Sequence, residues 1–441
     1  MPIKRHPNLP FAPSKFPIFY GWMAMIAATL GIICSIPGQT IGVSVFTDYL
    51  IDSLQLSRDA LSSAYLIGTA MSSLFLTKAG KVYDKFGARF TAIIAACVLA
   101  LTLLLFSISD QMSNSISSWT NISFSAVSFV LVSALFFMLR FSGQGVLTLA
   151  SRNMLMKWFN KNRGLANSIS SAIQSFGFAV APLFVAGLIH STDWSAAYLI
   201  MAAIIVTFII FAYIFYRDNP EECGLIPDGK VIEEKKKKAF KDSNKQFTLK
   251  EAKKTPVFWV YALAIAFSAF FITGFTFNVV SIFDVAGYSE QKALSIFIPA
   301  SLISIVAALA GNVISDYMPL KRILIIYLMG CLLSCIGLSF LSHWSGYYVL
   351  IIGNGLMGGL FSVLAAITWP RFFGKDHLGA ISGLAMSLMV FGSAIAPLFF
   401  SRIFTLTGSY QLAGFAGAVL VVVLLLFSLK LNNPQEDSKE G

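Results

Sequence analysis

One arginine stands alone in a long apolar run. Between Ser123 and Ala150 the single ionisable side chain is Arg140. A guanidinium carries five N–H donors in a rigid fork and keeps its charge, so it needs an anion or a set of oxygen acceptors around it. At the centre of a membrane span such a charge costs about 2.5–3.5 kcal/mol. Two kinds of partner would suit it: the negative charge of a bound solute, or backbone carbonyls with Tyr and Gln side chains that let the arginine tune its own helix. No Asp, Glu or His lies midway along another apolar run; Asp48, Asp52 and Asp284 fall at one set of ends and Asp316 at the other. A proton-exchanging exporter of cations or drugs would want such a buried acid.

Other polar side chains interrupt the apolar runs at single positions. Gln39 and Thr40 follow the helix-breaking Pro37-Gly38, and Tyr65, Gln174, Asn278 and Asn354 stand among aliphatic neighbours. Each could line a cavity, or bond a neighbouring helix for about 0.6 kcal/mol. Gln39 is the strongest cavity candidate, because a Pro-Gly break frees backbone groups that a membrane tolerates only beside a cavity. Metal or nucleophile chemistry has no such cluster. His6, His190, His343 and His377 are scattered over separate loops, and Cys34, Cys97, Cys331 and Cys335 lie in apolar segments with Cys223 in a polar one. Neither an enzyme, nor a metal site, nor a cofactor is expected.

The elements that must carry these residues are membrane helices. Of 441 residues 56% are hydrophobic and 40 are Phe, more apolar surface than a soluble domain can bury. Thr91 to Ile108, Ala197 to Tyr216, Ile323 to Leu341 and Gly414 to Leu429 carry almost no charge over lengths suited to a bilayer core of roughly 30 Å. They lack the alternation of barrel strands, so the expected fold is an all-α integral membrane protein. Twelve transmembrane helices are expected, near 18–44, 60–82, 90–109, 123–150, 163–189, 195–216, 257–283, 293–315, 323–341, 347–369, 378–402 and 410–430, with DQMSNSISSWTN as a polar loop between the third and fourth.

Charge sorts the connections. Lys4, Arg5, Lys15, Lys78, Lys81, Lys85, Arg89, Arg152, Lys157, Lys161, Arg163, Lys321, Arg322, Arg371 and Lys375 fall on one side, against Arg58, Lys292 and Arg402 on the other. The basic, proline-rich start then reads as a cytoplasmic leader, and both termini are expected in the cytoplasm of a plasma-membrane protein. The net charge of +11 thus reports membrane topology, and no nucleic-acid partner is expected. The polar stretch 217–256, with Lys235 to Lys238, is read as a cytoplasmic linker between a six-helix bundle at 1–216 and another at 257–441.

The halves repeat. FGFAVAPLF at 176–184 recurs as FGSAIAPLF at 391–399, and the same offset carries Gly143 onto Gly358 and Gly164 onto Gly379; AGKVYD at 79–84 has a weaker echo in AGNVISD at 310–316. Two pseudo-symmetric bundles with a cavity near the membrane midplane follow from such parallel repeats.

The decapeptide GKVYDKFGAR at 80–89, by its letters and by its place between the second and third helices, resembles the signature of the major facilitator superfamily. A second likeness is Arg140-Phe-Ser-Gly143-Gln-Gly145 on the fourth helix. The resemblance implies a transporter working by alternating access. Gly80 would allow a neighbouring helix to approach closely. Asp84 would face the N-terminal end of the eleventh helix across the bundle interface and lock the cytoplasmic side, with Lys85 and Arg89 completing the gate or merely setting topology. FYGW at 19–22, PGQTIGVSVF at 37–46, WFNKNRGLA at 158–166 and NPEECGLIPDG at 219–229 resemble the monocarboxylate and oxalate/formate branch. The chain departs from that branch in having no basic residue within the eighth helix and no central Lys in the eleventh. The expected solute is a small organic anion, a carboxylate, bound by Arg140, moved with a co-transported proton or by uniport or exchange, by a monomer in the lipid bilayer. The competing readings are a multidrug/proton antiporter and a non-transporting sensor on a transporter scaffold.

Overall fold

The computed structural model describes residues 8–229, 245–315, 317–431 and 433–437; Lys4, Arg5, Lys235 to Lys238 and Asp316 lie outside them. All regular structure among the described residues is helical. Nine helices there are long and apolar enough to cross a membrane, from Asp59–Ser107 to Gln411–Leu429. Three of their starts follow ordinary capping chemistry. The side chains of Ser57, Asp193 and Thr255 accept from backbone amides of Ala60, Ala196 and Phe258, satisfying donors that a helix start leaves open. Left-handed residues at Gln55, Asn121 and Gly408 turn the chain out of helices.

The first apolar segment is broken where the sequence places its Pro-Gly pair. Gly21–Ile33 is followed by a 3₁₀ turn at Ile36–Gly38, Gln39 is extended (φ −88°, ψ 156°), and the helix resumes at Thr40–Ser44. Pro256–Phe277 likewise gives way to Val279–Val285 at Asn278.

Two connections differ from expectation. Residues 83–89 do not form an open loop: helix runs from Arg58 to Ser107, broken by non-helical backbone only at Gly87 (φ 82°, ψ 178°). Side chains bearing a Cβ avoid this region of backbone space, so one glycine converts a continuous helix into two. DQMSNSISSWTN is not a polar loop but contributes most of the helix Ser109–Thr120. It contains neither Gly nor Pro, and its hydroxyls bond back along the helix: Ser115 to the Gln111 carbonyl, Ser118 to that of Ser115 and Thr120 to that of Ile116. Groups that commonly compete with a helix are thus absorbed by it.

The described residues fall into two compact units. One comprises Met1–Trp158, Ile173–Lys230 and Ser382–Val390; the other comprises Phe159–Ala172, Val231–Ile381 and Phe391–Gly441. Two helices, Arg163–Ser191 and Leu378–Thr407, therefore contribute to both.

Candidate functional site

The segment around Arg140 departs from α geometry. Phe124–Leu139 is an α-helix, Arg140–Leu147 is π-helical, and α geometry returns at Thr148–Trp158. π-turns occur often at functional positions, because the extra residue per turn re-aims side chains. Here the wide turn lies against the break in the first segment. A Cβ on Gly38 would come within 2.6 Å of the Leu139 carbonyl oxygen and 2.7 Å of the Gly143 Cα. No side chain fits between the two backbones.

This approach gives Arg140 its partner. The residue is fully buried, and its Nη1 donates to the Gly38 carbonyl at 3.0 Å and to Thr40 Oγ1 at 3.4 Å. The Gly38 carbonyl is available because helix does not continue through Gln39. The Tyr65 ring stands 5.2 Å from the guanidinium carbon, and its hydroxyl shares a 2.9 Å hydrogen bond with Thr40. An aromatic chain holds that ring: Tyr65 packs edge-on against Phe136, then Phe106, Tyr198 and Phe46 follow at centroid separations of 4.0–5.4 Å. Arg140 Nε and Nη2 are buried and find no acceptor among the described residues. Carbonyl and hydroxyl oxygens take one arm of the fork, and two strong donors remain unsatisfied.

Gln39 lies beside this centre, but its amide donates to Ser35 Oγ at 3.0 Å and Thr148 Oγ1 at 3.4 Å, while Thr148 donates to Ser35 at 3.1 Å. Sequence reading did not single out Gln144, whose Oε1 is buried with no partner among the described residues. A glutamine between two glycines looks like packing until the π-turn and its unsatisfied atom are seen. Gln174 is half-buried on Arg163–Ser191 and has partners of its own. In the other unit, Asn278 donates back to the Gly274 carbonyl at 2.9 Å, whereas Asn354 is buried with Oδ1 unsatisfied among the described residues. Arg140, Tyr65 and Gln39 therefore gather around one helix break, while Asn278 and Asn354 belong to a different unit.

The decapeptide is built around Gly87. Beyond it, the Ala88 amide donates to Asp218 Oδ1 at 2.9 Å, and Lys157 Nζ approaches Asp218 Oδ2 at 3.2 Å. Asp218 thus caps a helix from 130 residues away in sequence. Arg89 Nε donates to the Tyr216 carbonyl at 2.8 Å, and Lys85 lies over the Phe86 ring at 5.2 Å. Asp84 is half-buried and Gly80 buried. Close to Gly80 comes Gly383, where a Cβ would meet the Leu76 carbonyl oxygen at 2.9 Å and the Gly80 Cα at 3.4 Å. Asn153 Nδ2 donates to Ser382 Oγ at 2.9 Å, and Ser387 Oγ donates to the Ser73 carbonyl. In the second unit Asn167 Nδ2 donates to Asn312 Oδ1 at 2.7 Å. Asn153, Asn167 and Asn312 carried no signal in the sequence beyond being polar.

Outside the spans, Cys223 is buried in the turn Glu221–Cys223, and that burial pushes its thiol up to about 11 despite the nearby Arg217.

A family model described as Major Facilitator Superfamily matches residues 27–397. The uncharacterised transporter YybO of Bacillus subtilis (strain 168) is 23% identical over 418 residues, covering 89% of this chain and 90% of the relative. The glycerol-3-phosphate transporter of the same organism is 34% identical over 98 residues, 21% of this chain and 22% of that one. Among solved structures, the proton:xylose symporter XylE bound to 6-bromo-6-deoxy-D-glucose superposes with a TM-score of 0.65 at 15% identity, covering 93% of this chain and 96% of that chain.

Proposed function

The chain belongs to the major facilitator superfamily and is thus a multi-pass membrane transporter rather than an enzyme; on that premise we propose that it moves a small organic anion, a carboxylate or a phosphate monoester, by alternating access. The carrying observation is Arg140. It is buried in a candidate span, two of its donors have no acceptor among the described residues, and its bonded partners are neutral oxygens. Leaving such a charge uncompensated is costly, and an arriving anion removes the cost; a cationic or neutral solute does not. The local likeness to a glycerol-3-phosphate transporter, whose named solute is an anion, supports the same charge type. The likeness to the monocarboxylate branch, resting on residues 19–22, 37–46, 158–166 and 219–229, makes a monocarboxylate the first solute to test.

In this reading twelve helices form two pseudo-symmetric halves joined through 217–256. Gly87 divides Arg58–Ser107 into two spans, and the short segments Gly21–Ile33, Thr40–Ser44 and Thr47–Leu54 make up the first. Both termini face the cytoplasm. Arg140 and Tyr65 bind the solute, with Gln39 and Gln174 in supporting positions; Asn278 and Asn354 are candidate polar contacts of the other unit. Gly80 and Asp84 act in the gate; Arg89 and Lys85, the first bonded to Tyr216, brace the gating bend. With no acid assigned to carry a proton, any proton enters with the anion.

Uptake into proteoliposomes, with a panel of labelled small anions, tests this. Wild type should accumulate at least one of them, and Arg140→Gln should cut that flux by about a hundredfold or more, the scale of losing a desolvated charge partner. Flux of a cationic dye with no anion flux would point to a drug exporter, and solute-induced stabilisation without any flux to a sensor.

A further inference from the structure

On the anion reading of Arg140, we infer that Gln144 is a second recognition point, whose side-chain carbonyl takes a hydrogen-bond donor from the solute, so that the preferred solute is an organic anion bearing a hydroxyl group close to its charge. The argument starts from two unsatisfied buried groups of opposite kind. Arg140 offers donors at Nε and Nη2, and Gln144 offers an acceptor at Oε1, each without a partner among the described residues. They do not satisfy each other, although both lie in the same π-turn, Arg140–Leu147.

Position along that turn puts them together. Residues four apart share a face on an α-helix and remain within about a tenth of a turn of each other on the wider π-turn, with Cβ atoms roughly 5–6 Å apart. The backbone fixes the neighbourhood independently. Gly38 accepts from Arg140 through its carbonyl, and a Cβ on Gly38 would stand 2.9 Å from the Gln144 backbone nitrogen. Arg140 and Gln144 therefore flank one point, the broken end of the first helix.

Neighbouring polar groups are already engaged with one another: the Gln39 Nε2 donates to Ser35 and Thr148, and Thr40 bonds Tyr65 and Arg140. Gln144 Oε1 is a buried acceptor beside the cation with no partner among the described residues. A buried acceptor left unmet costs about 1–3 kcal/mol. A solute that supplies both an anionic oxygen and an O–H meets both needs, and one that supplies only the charge leaves the Gln144 carbonyl unmet. Discrimination of this type, by a site built to bond a hydroxyl, is stronger than discrimination by size.

Matched pairs of anions read this directly. Purified full-length protein is titrated with 2-hydroxypropanoate against propanoate, and with 2,3-dihydroxypropyl phosphate against propyl phosphate, following thermal stabilisation and proteoliposome uptake. The two arms separate a carboxylate from a phosphate ester. In at least one arm, wild type should favour the hydroxylated member by at least about tenfold. Gln144→Met, of similar length and without an acceptor, should bring that ratio to within about twofold. A wild-type ratio near one in both arms, or a ratio that survives Gln144→Met, overturns the inference. The anion reading fails differently, by Arg140→Gln leaving the binding of both members unchanged. Absence of binding by all four anions overturns the two together.

Discussion

Tyr65 offers Arg140 two separable contacts, a ring face at 5.2 Å and a hydroxyl that orients Thr40. Tyr65→Phe removes the second and keeps the first; Tyr65→Leu removes both. The loss of a desolvated cation–π contact is worth about 2 kcal/mol, so Tyr65→Leu should weaken anion affinity by roughly thirtyfold. Tyr65→Phe should cost only a few-fold, as read by the midpoint of ligand-induced thermal stabilisation. Equal losses in the two variants would assign the effect to the hydroxyl alone. Cys223 provides a pH-dependent check on the loop after residue 216. Its raised thiol, pushed up to about 11 by burial, contributes stability that is complete below the unfolded value of roughly 8.5 and is lost as pH rises through about 11. Alkylation of Cys223 by a membrane-impermeant maleimide at pH 8 should therefore be at least about tenfold slower than in denaturant. At this scale Arg140 was legible because a single charge in an apolar run has few explanations. Gln144 was not, since its meaning depends on which atoms around it are already bonded.

Helix breaks set where these side chains can meet, and they were legible to different degrees. Pro37-Gly38 announces a break, and the structure has one there. The bend at Gly87 sits inside a recognised decapeptide, but sequence pattern alone cannot distinguish a loop from two helices meeting at one residue. The π-turn at Arg140–Leu147 has no sequence signature apart from Gly143 and Gly145, and it lies in close backbone contact with Gly38. Helix Ser109–Thr120 was missed because its serines suggest a loop, whereas their hydroxyls are bonded along the helix. Two substitutions test the consequences. Gly87→Ala places a Cβ in backbone space that costs about 1–3 kcal/mol, and should lower the melting temperature in detergent without changing anion specificity. Gly143→Ala puts a Cβ 2.8 Å from the Gly38 Cα, backbone against backbone, and should push the π-turn away from the carbonyl that Arg140 holds. Anion affinity should fall there by more than tenfold with the fold retained. An affinity matching wild type would mean that the close approach is incidental to the site.

At the scale of the molecule, the apolar spans and the repeat of FGFAVAPLF as FGSAIAPLF were the most legible features, because length, hydropathy and duplication survive without any side-chain detail. The polar bonds that join distant segments were not legible, since a serine or asparagine on a membrane helix can bond in any direction. Asn153 and Ser382 show what such a bond can test. Within one compact unit the Asn153 amide donates to the Ser382 hydroxyl at 2.9 Å, both buried, 229 residues apart in sequence. Asn153 lies within the last turns of the segment that carries Arg140, in helix Thr148–Trp158, and Ser382 lies in the second turn of helix Leu378–Thr407, whose Gly383 lies against Gly80. Alternating access by rocking of two sequence halves requires segments from 1–216 and 257–441 to separate at one face in each cycle, which a covalent bridge at this pair would prevent. In a background with the five cysteines replaced, Asn153→Cys combined with Ser382→Cys should transport when reduced. A short bis-thiosulfonate reagent, which joins the two cysteines through reducible disulfides, should then reduce flux to the background level, with recovery on reduction, while anion-induced thermal stabilisation persists. Single-cysteine controls should be insensitive to the reagent. A bridged protein that still transported at its reduced rate would show that these two segments stay together throughout the cycle, and the opening would have to lie elsewhere in the chain.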